Sequence, residues 1–320
     1  MVAERLRNEG ESAYILVTAL KNEEANLPAL IRSVANQTLR PAVWCIVDDG
    51  STDRSADIIS DAALEHPWIH MVKLHQDLAY DIGKHYASVC ITGFDHALAY
   101  CEQNNLEFDY IALSDADMVY PEDYFAKCID FLRENLEFGI VSGSILVQEK
   151  GGGTYKESRL ELGDGRPRGT GRVWRKEAFI DTGGYIMAKS PDTVSNVKAL
   201  LRGWRIKQLS EITCYQTRDT GGKSGLWRGY FHRGERSYYL SMTPLSILNA
   251  IVDMMLISRP KGRLTRSLAL FLGYCKSFLR REEKLDDDEI KVYFGSYRRI
   301  AGNYWLFLRA LTKKRKTDEL

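Results

Sequence analysis

Acidic side chains follow two apolar, β-branched runs in the first half of this 320-residue sequence. Residues 48–53 (DDGSTD) come after one run, and residues 115–117 (DAD) come after another. Carboxylates accept hydrogen bonds from a nucleotide base or a ribose hydroxyl, and paired carboxylates are hard ligands that suit Mg²⁺ or Mn²⁺. The two segments therefore predict a nucleotide site in which a divalent cation also holds a diphosphate.

Both acidic segments also have simpler interpretations. Gly50 permits a tight turn, and Ser51 or Thr52 can cap the following helix, so turn and cap chemistry explains part of DDGSTD. A helix start needs only one cap residue, which leaves the doubled aspartate as a surplus. An Asp-x-Asp tripeptide alone is commonly a solvated turn, and only its position directly after a strand makes it informative.

Strand-like and helix-like segments alternate through the first half of the chain. Predicted strands at residues 14–18, 43–48, 71–74 and 110–114 alternate with predicted helices at residues 23–37, 55–66, 83–103 and 121–134. This rhythm predicts an α/β fold with a mostly parallel sheet, which binds ligands at the carboxyl ends of its strands. The acidic segments would meet at that edge of the sheet.

Lys84 begins the third predicted helix, directly after Gly83. A helix N-terminus carries partial positive charge, so a lysine there adds a point charge that favours phosphate groups. The competing interpretation is a solvated surface lysine.

The ordered series of motifs resembles the family 2 glycosyltransferases. It consists of a first strand followed by NEE (residues 22–24), then VDDGSTD (residues 47–53), GKxxA (residues 83–87) and SDAD (residues 114–117). The resemblance runs from about residue 14 to residue 238. It implies the GT-A fold and an inverting, hexosyltransferase-type enzyme that uses a nucleoside-diphosphate sugar with Mn²⁺ or Mg²⁺.

The resemblance also implies roles for individual residues. It places Asp117 and Asp115 on the metal. It places the following residues at the donor nucleotide: Thr18, Ala19, Asn22, Glu23, Asp49, Ser51, Lys84 and Asp115.

The second half of the sequence supplies the acceptor side of the implied site. Asp192 is the implied general base, because many family members have Glu-Asp at this point before a helix that ends in Gly-aromatic, here Gly203-Trp204. Pro191 stands where the family usually has an acidic residue, which leaves a single candidate base. An ordinary N-cap is the competing interpretation of Asp192.

Four further residues are implied at the diphosphate or the acceptor, namely Arg172, Gln216, Arg218 and Lys223. Arg172 lies in a segment similar to the one that closes the sheet beneath the transferred sugar in this family. Gln216 and Arg218 occur without the complete QxxRW motif, so processive polymerisation is not predicted. Arg218 or Lys223 is expected to reach the leaving diphosphate.

The two ends of the chain differ in charge. Residues 259–320 carry 16 Lys and Arg against 8 Asp and Glu, a net charge of +8, whereas residues 1–258 carry −7. The total of +1 gives no argument for a nucleic-acid partner. From Leu264 to Leu279 apolar residues recur every three or four positions, which predicts a basic amphipathic helix at the surface of an anionic membrane. The alternative is that this stripe packs on the catalytic domain.

These patterns predict a GT-A catalytic domain at residues 1–236, with a nucleotide-sugar half (1–118) and an acceptor half (119–236). Residues 237–320 are predicted to form a basic helical region for membrane association or docking, and residues 237–258 are a weak candidate for a membrane span. The first twelve residues contain no apolar signal segment, and the six cysteines form no CxxC pair. A cytoplasmic protein at the inner face of the cell membrane is expected.

The predicted function is glycan biosynthesis by sugar transfer to an acceptor hydroxyl, with a lipid-linked glycan as one possible acceptor. The alternative is a non-catalytic nucleotide-sugar-binding protein that is recruited to a membrane. A sugar nucleotidyltransferase fits less well, because its usual Gly-rich loop with Arg is absent after the first strand, where residues 18–23 read TALKNE.

Overall fold

The computed structural model describes residues 13–74, 82–148, 154–156, 165–217, 220–257 and 261–295. The chain divides into two compact units, Met1–Asp219 and Thr220–Leu320. The sequence predicted this division after residue 236. The structure puts it earlier because residues 220–239, which are helical apart from a kink at Gly225, pack within the second unit.

The first unit alternates strands and helices in the predicted order. Its strands are β1 (Tyr14–Leu20), β2 (Val43–Asp48), β3 (Ile69–Lys73), β4 (Tyr110–Asp115), β5 (Met118–Val119), β6 (Phe138–Gln148), β7 (Thr154–Lys156), β8 (Arg172–Arg175) and β9 (Arg205–Gln216). Its helices are α1 (Leu27–Ala35), α2 (Ser55–Glu65), α3 (Ile82–Gln103), α4 (Tyr124–Glu134), α5 (Lys176–Asp181) and α6 (Pro191–Leu201).

The strands of the described residues form one mixed sheet in the order β3-β2-β1-β4-β8-β6-β9-β5, with β7 paired to β6. Strands β3, β2, β1 and β4 are parallel, and β8 runs antiparallel to both β4 and β6. Apolar clusters cover both faces of the sheet. The predicted α/β class and sheet with flanking helices are confirmed, and β1, β2 and β4 end at one edge.

Helix α1 begins at Leu27, four residues later than predicted. The backbone N–H groups of Glu23 and Glu24 donate to Ser55 Oγ at 2.9 Å and to Asp53 Oδ2 at 3.1 Å. These two N–H groups already have acceptors at and just before the start of α2, so residues 23 and 24 do not have to form a helix to satisfy them. Asn22 has φ 56°, a left-handed conformation that asparagine tolerates.

The second unit is helical. It contains α7 (Thr220–Tyr239), α8 (Pro244–Val252), a π-helical turn at Asp253–Ile257, α9 (Arg263–Leu279) and α10 (Asp288–Gly295). Helices α7 and α9 cross closely, since a Cβ atom on Gly273 would collide with the backbone of Phe231. Within the described residues, no helix has both the length and the hydropathy to cross a bilayer.

The predicted amphipathic helix exists as α9. The second unit leaves its apolar stripe largely uncovered, since Leu264, Leu268 and Leu279 are each more than half exposed, and the alternative that the stripe packs on the catalytic domain stays a prediction. All six cysteines are free thiols, and five of them are buried.

Candidate functional site

The loops after β1 and β2 hold each other in place. The backbone N–H of Asn22 donates to Ser51 Oγ at 2.9 Å, and the backbone N–H of Thr52 donates to Asn22 Oδ1 at 2.8 Å. Asn22 and Ser51, two of the predicted donor residues, therefore shape the edge of the site through these contacts.

Asp48 and Asp49 make different contacts, Asp48 within the turn and Asp49 with side chains outside it. Asp48 Oδ1 accepts from the backbone N–H of Ser51 at 2.9 Å, which is turn chemistry. Asp49 Oδ2 lies 2.6 Å from His85 Nε2 and 3.8 Å from Lys21 Nζ. Asp49 Oδ1 is buried, and within the described residues it has no hydrogen-bond partner. A buried carboxylate oxygen is costly unless a ligand donates to it, so Asp49 has a feature of a binding residue, which Asp48 shares through its buried Oδ2.

The start of α3 also holds the acid at the end of β4. Tyr86 Oη donates to Asp115 Oδ1 at 2.7 Å, and the backbone N–H of Asp115 donates to Thr170 Oγ1 at 2.7 Å. Burial raises the pKa of Tyr86 well above 10.0, and the charge of Asp115 raises it further. Tyr86 therefore stays protonated and remains a donor at physiological pH.

His85 and Tyr86 are site residues that sequence reasoning missed. They directly follow Lys84, which is half-buried in the same first turns of α3. The predicted role of Lys84 could have indicated them. If the start of this helix faces the phosphates, the polar residues that follow Lys84 are candidates for the same region.

Asp117 is nearly fully buried, and its Oδ2 accepts from Gln216 Nε2 at 3.1 Å. The antiparallel pairing of β5 with β9 sets Gln216 opposite Met118 and so brings it to Asp117. The backbone N–H of Thr217 donates to the carbonyl oxygen of Asp117 at 2.9 Å. Gln216 thus contacts the Asp-x-Asp segment, and its predicted place at the diphosphate or the acceptor stays a prediction.

The pair Asp115 and Asp117 fits the protein share of a magnesium or manganese site. Both carboxylates are hard oxygen donors at the end of β4, and such ions commonly bind one or two carboxylates together with substrate phosphates. Within the described part of the chain, no group of three His, Cys, Asp or Glu side chains is arranged to hold a metal ion. The remaining ligands would have to come from the diphosphate and water.

Asp192 lies in the first turn of α6 and is half-buried. Ser190 is the N-cap residue, and no side chain caps this helix, so the N-cap interpretation of Asp192 does not hold. A Cβ atom on Gly169 would lie 3.6 Å from Asp192 Oδ2, and Thr170 is the residue that holds the backbone of Asp115. Asp192 and Asp115 therefore flank the same two-residue segment.

The electrostatics of Tyr185 agree with this placement. Burial is the main cause that raises the pKa of Tyr185 well above 10.0, and Cys90, Asp192 and Asp115 each raise it further. Both aspartates must lie near this phenol to act on it.

Arg172 is fully buried and has internal acceptors. Its guanidinium donates to the carbonyl oxygens of Arg168 at 2.7 Å and Pro167 at 3.1 Å, to Asn196 Oδ1 at 3.0 Å and to the carbonyl oxygen of Asp192 at 3.3 Å. Burial lowers the pKa of Arg172, which the charge of Asp192 opposes. These contacts give Arg172 a positioning role for α6 in place of the predicted diphosphate or acceptor contact.

The other predicted donor residues lie at or beneath the same edge. Thr18 is fully buried, and its Oγ1 accepts from Trp44 Nε1 at 3.1 Å. Ala19 pairs with Asp115 across the β1–β4 ladder. Glu23 is also buried, and its Oε2 accepts from Asn26 Nδ2 at 2.6 Å. Thr18 and Ala19 therefore lie in the strand beside Asp115, and their contact with the donor stays a prediction.

Two predicted residues cannot be placed at the site. Arg218 lies outside the described residues. Lys223 lies in α7 of the second unit, and its side chain is outside the described part of the chain.

The fold is similar to those of solved glycosyltransferases. The mannosyltransferase PcManGT from Pyrobaculum calidifontis, in complex with GDP-Man and Mn²⁺, aligns with a TM-score of 0.54 at 16% identity, covering 83% of this chain and 75% of that chain. S. aureus TarS 1–349, in complex with UDP-GlcNAc, aligns with a TM-score of 0.50 at 16% identity, covering 88% and 79%. These likenesses establish the GT-A glycosyltransferase fold.

The family model for glycosyl transferase family 2 matches residues 15–192, more than half of the chain, so the chain belongs to this family. Membership of this family favours a glycosyltransferase over the alternative of a non-catalytic nucleotide-sugar-binding protein.

Curated relatives match a shorter region. The undecaprenyl-phosphate 4-deoxy-4-formamido-L-arabinose transferase of Pectobacterium carotovorum subsp. carotovorum (strain PC1) is 28% identical over 125 residues, which is 38% of this chain and 34% of the relative. The protein of the same name from Enterobacter sp. (strain 638) is 33% identical over 117 residues, covering 36% and 32%. The matched region thus spans about a third of the length of these relatives.

Proposed function

We propose that the protein is an inverting, metal-assisted glycosyltransferase that moves a sugar from a nucleoside-diphosphate sugar to an acceptor hydroxyl. The observation that supports this best is the position of the Asp192 carboxylate. It is half-buried beside Gly169, and the adjacent Thr170 holds the backbone of Asp115. A proton acceptor and a diphosphate-binding acid would then serve the same reacting centre.

In the proposed mechanism, Asp192 accepts the proton of the acceptor hydroxyl while the hydroxyl oxygen attacks the anomeric carbon. The bond from that carbon to the phosphate oxygen breaks, and its electron pair leaves with the nucleoside diphosphate. A single displacement of this kind inverts the anomeric configuration. Asp115 and Asp117 would hold Mn²⁺ or Mg²⁺, which when bound supplies stabilisation of the charge on the diphosphate.

At the other end of the donor, Asp49 is the proposed acceptor for a base N–H or a ribose hydroxyl. Its Oδ2 is held near His85 and Lys21, which leaves its buried Oδ1 for the nucleotide. Lys84 is the proposed phosphate contact, because it lies next to His85 in the first turns of α3.

The proposed acceptor is a lipid-linked glycan, met by peripheral contact with the inner face of the cell membrane. The positive charge of residues 259–320 supports this contact. The names of the curated relatives include a lipid phosphate, undecaprenyl phosphate. Those names favour a second candidate, transfer to a lipid phosphate itself. A phosphate monoester is already largely ionised at neutral pH and needs no base, so the two candidates differ in their need for Asp192.

The proposal is tested with the full chain, UDP- and GDP-sugars, and Mn²⁺ or Mg²⁺. We expect one class of sugar nucleotide to raise the melting temperature in the presence of metal, since a ligand that binds only the folded state stabilises it. Nuclear magnetic resonance of the product should then show the opposite anomeric configuration to the donor. A product that retains the donor configuration, or turnover that is unaffected by removing the metal with a chelator, would overturn the proposed mechanism.

A further inference from the structure

Helix α9 buries four small residues together with Leu270 and Tyr274, and it exposes most of its large apolar residues. The residues buried against the second unit are Ser267, Ala269, Leu270, Gly273, Tyr274 and Ser277. The outer stripe, which we define by six residues that are each between 40% and 78% exposed, consists of Leu264, Leu268, Phe271, Leu272, Phe278 and Leu279. A helix of a water-soluble domain normally buries its large apolar face, whereas helices in lipid pack through small residues.

The outer stripe is continuous with an apolar groove between α8 and α9. The groove has a volume of about 210 Å³, and its lining includes Leu248, Ile251, Phe271, Cys275 and Phe278. Leu248 is 54% exposed, so the α8 side of the groove is also open to solvent. Exposed apolar residues grouped in this way are typical of an interaction site.

Exposed basic residues lie at both ends of the outer stripe. Lys261 and Arg263 stand at the start of α9, and Arg280 and Arg281 stand at its end. The two pairs are separated by about 25 Å of helix. Positive charge in the first turn opposes the helix dipole, so Lys261 and Arg263 do not stabilise α9 itself. Their charge is available to an anionic partner.

We propose that this face of α8 and α9 docks on an anionic lipid bilayer, with an acyl chain of the leaflet in the groove. The outer stripe would lie at the level of the upper acyl chains, and the two basic pairs would contact the headgroups. Charge complementarity selects this occupant, because the described residues 261–295 carry eight Lys and Arg against six Asp and Glu, and four of these basic residues flank the apolar stripe. The inference deepens the proposed function, and rests on it only for the biological reason to meet a lipid-linked acceptor.

The test is flotation of the full chain with phosphatidylcholine vesicles that contain or lack phosphatidylglycerol. We expect the protein to float at low salt with the anionic vesicles only. The double variant Phe271→Gln and Phe278→Gln, called the groove variant, changes two exposed residues to a good helix former. It should reduce vesicle binding at least about tenfold. The matched control, Leu64→Gln with Leu136→Gln, changes two exposed leucines of the first unit and should bind like the wild type.

Three results would overturn the inference. The first is a wild-type protein that stays with the soluble fraction beside anionic vesicles, and the second is a groove variant that floats as well as the control. The third is a wild-type dimer in analytical ultracentrifugation that the groove variant dissociates, because a second copy would then cover the stripe.

Donor binding separates this inference from the proposed function. The groove variant should bind the sugar nucleotide as the wild type does in calorimetry. A protein that floats but transfers no sugar would support the docking surface and contradict the proposed function. A protein that transfers sugar but does not float would contradict the docking surface alone.

Discussion

Two adjacent side chains at the start of α3 hold the two acids that are proposed to bind the donor. His85 lies 2.6 Å from Asp49, and Tyr86 donates to Asp115 at 2.7 Å. One helix turn therefore orients a carboxylate after β2 and another at the end of β4. Neither contact was readable from the sequence, because both depend on where α3 crosses the sheet.

Replacing His85 should weaken donor binding without removing the chemistry. We expect His85→Ala to raise the Kd of the sugar nucleotide about tenfold, as the loss of one hydrogen bond to a charged group would do, and His85→Gln to restore part of the loss. Calorimetry gives the Kd, and turnover at saturating donor should stay near that of the wild type.

The control for His85 is His232→Ala, an exposed histidine that pairs with Glu235 in the second unit. An unchanged Kd in His85→Ala would show that this histidine does not position Asp49 for the nucleotide.

At the scale of secondary-structure elements, the sequence predicted the bounds of the strands better than it predicted where helices begin and which of their faces are buried. Apolar β-branched runs end at polar residues, so β2 was predicted at its observed bounds and β4 to within one residue. The start of α1 was wrong because Ser55, distant in sequence, satisfies the backbone of Glu23. The period of α9 predicted an apolar stripe, but a period alone does not tell which face is buried, and Gly273 decides this through its contact with α7.

The crossing of α7 and α9 should be sensitive to a single methyl group. We expect Gly273→Ala to lower the free energy of unfolding of the second unit by about 1–3 kcal/mol, because the new Cβ meets the backbone of Phe231, which cannot rotate away. Urea denaturation followed by circular dichroism measures the change.

Gly229→Ala in α7 is the matched control, since a Cβ atom there meets nothing within 4 Å. It should be neutral or stabilise the helix by up to about 1 kcal/mol. Equal effects of the two substitutions would contradict the close crossing of these helices.

At the scale of the whole molecule, buried phenols are concentrated in the first unit. Burial is the largest cause that raises the pKa of five tyrosines well above 10.0, namely Tyr14, Tyr86, Tyr120, Tyr124 and Tyr185. The phenols of the unfolded chain titrate near 10, whereas these five stay protonated in the folded protein.

The stability that these phenols contribute should be complete below about pH 10 and lost as the pH rises above it, because the unfolded state then releases protons that the folded state keeps. Urea midpoints measured from pH 8 to alkaline pH should therefore fall steeply once the unfolded phenols titrate. A midpoint that stays constant through this range would contradict the burial of these hydroxyls.

The sequence-based predictions agree with the structure more closely in the first unit than in the second. The resemblance predicted one site for Asp49, Asp115 and Asp192, and this stays a prediction, whereas the predicted division after residue 236 differs from the one observed at Asp219. Motifs at strand ends report on a shared edge, but a helix such as α7 shows its partner only through packing.

The most direct test of the central claim is the turnover of Asp192→Asn with the sugar nucleotide and acceptor. Asparagine keeps the shape of the side chain but cannot accept the acceptor proton, so we expect kcat to fall about 10²- to 10⁴-fold while donor affinity stays at the wild-type value. The exposed Asp95→Asn variant should match the wild type in both quantities. Wild-type turnover in Asp192→Asn would contradict the proposed base and favour an acceptor that is already ionised.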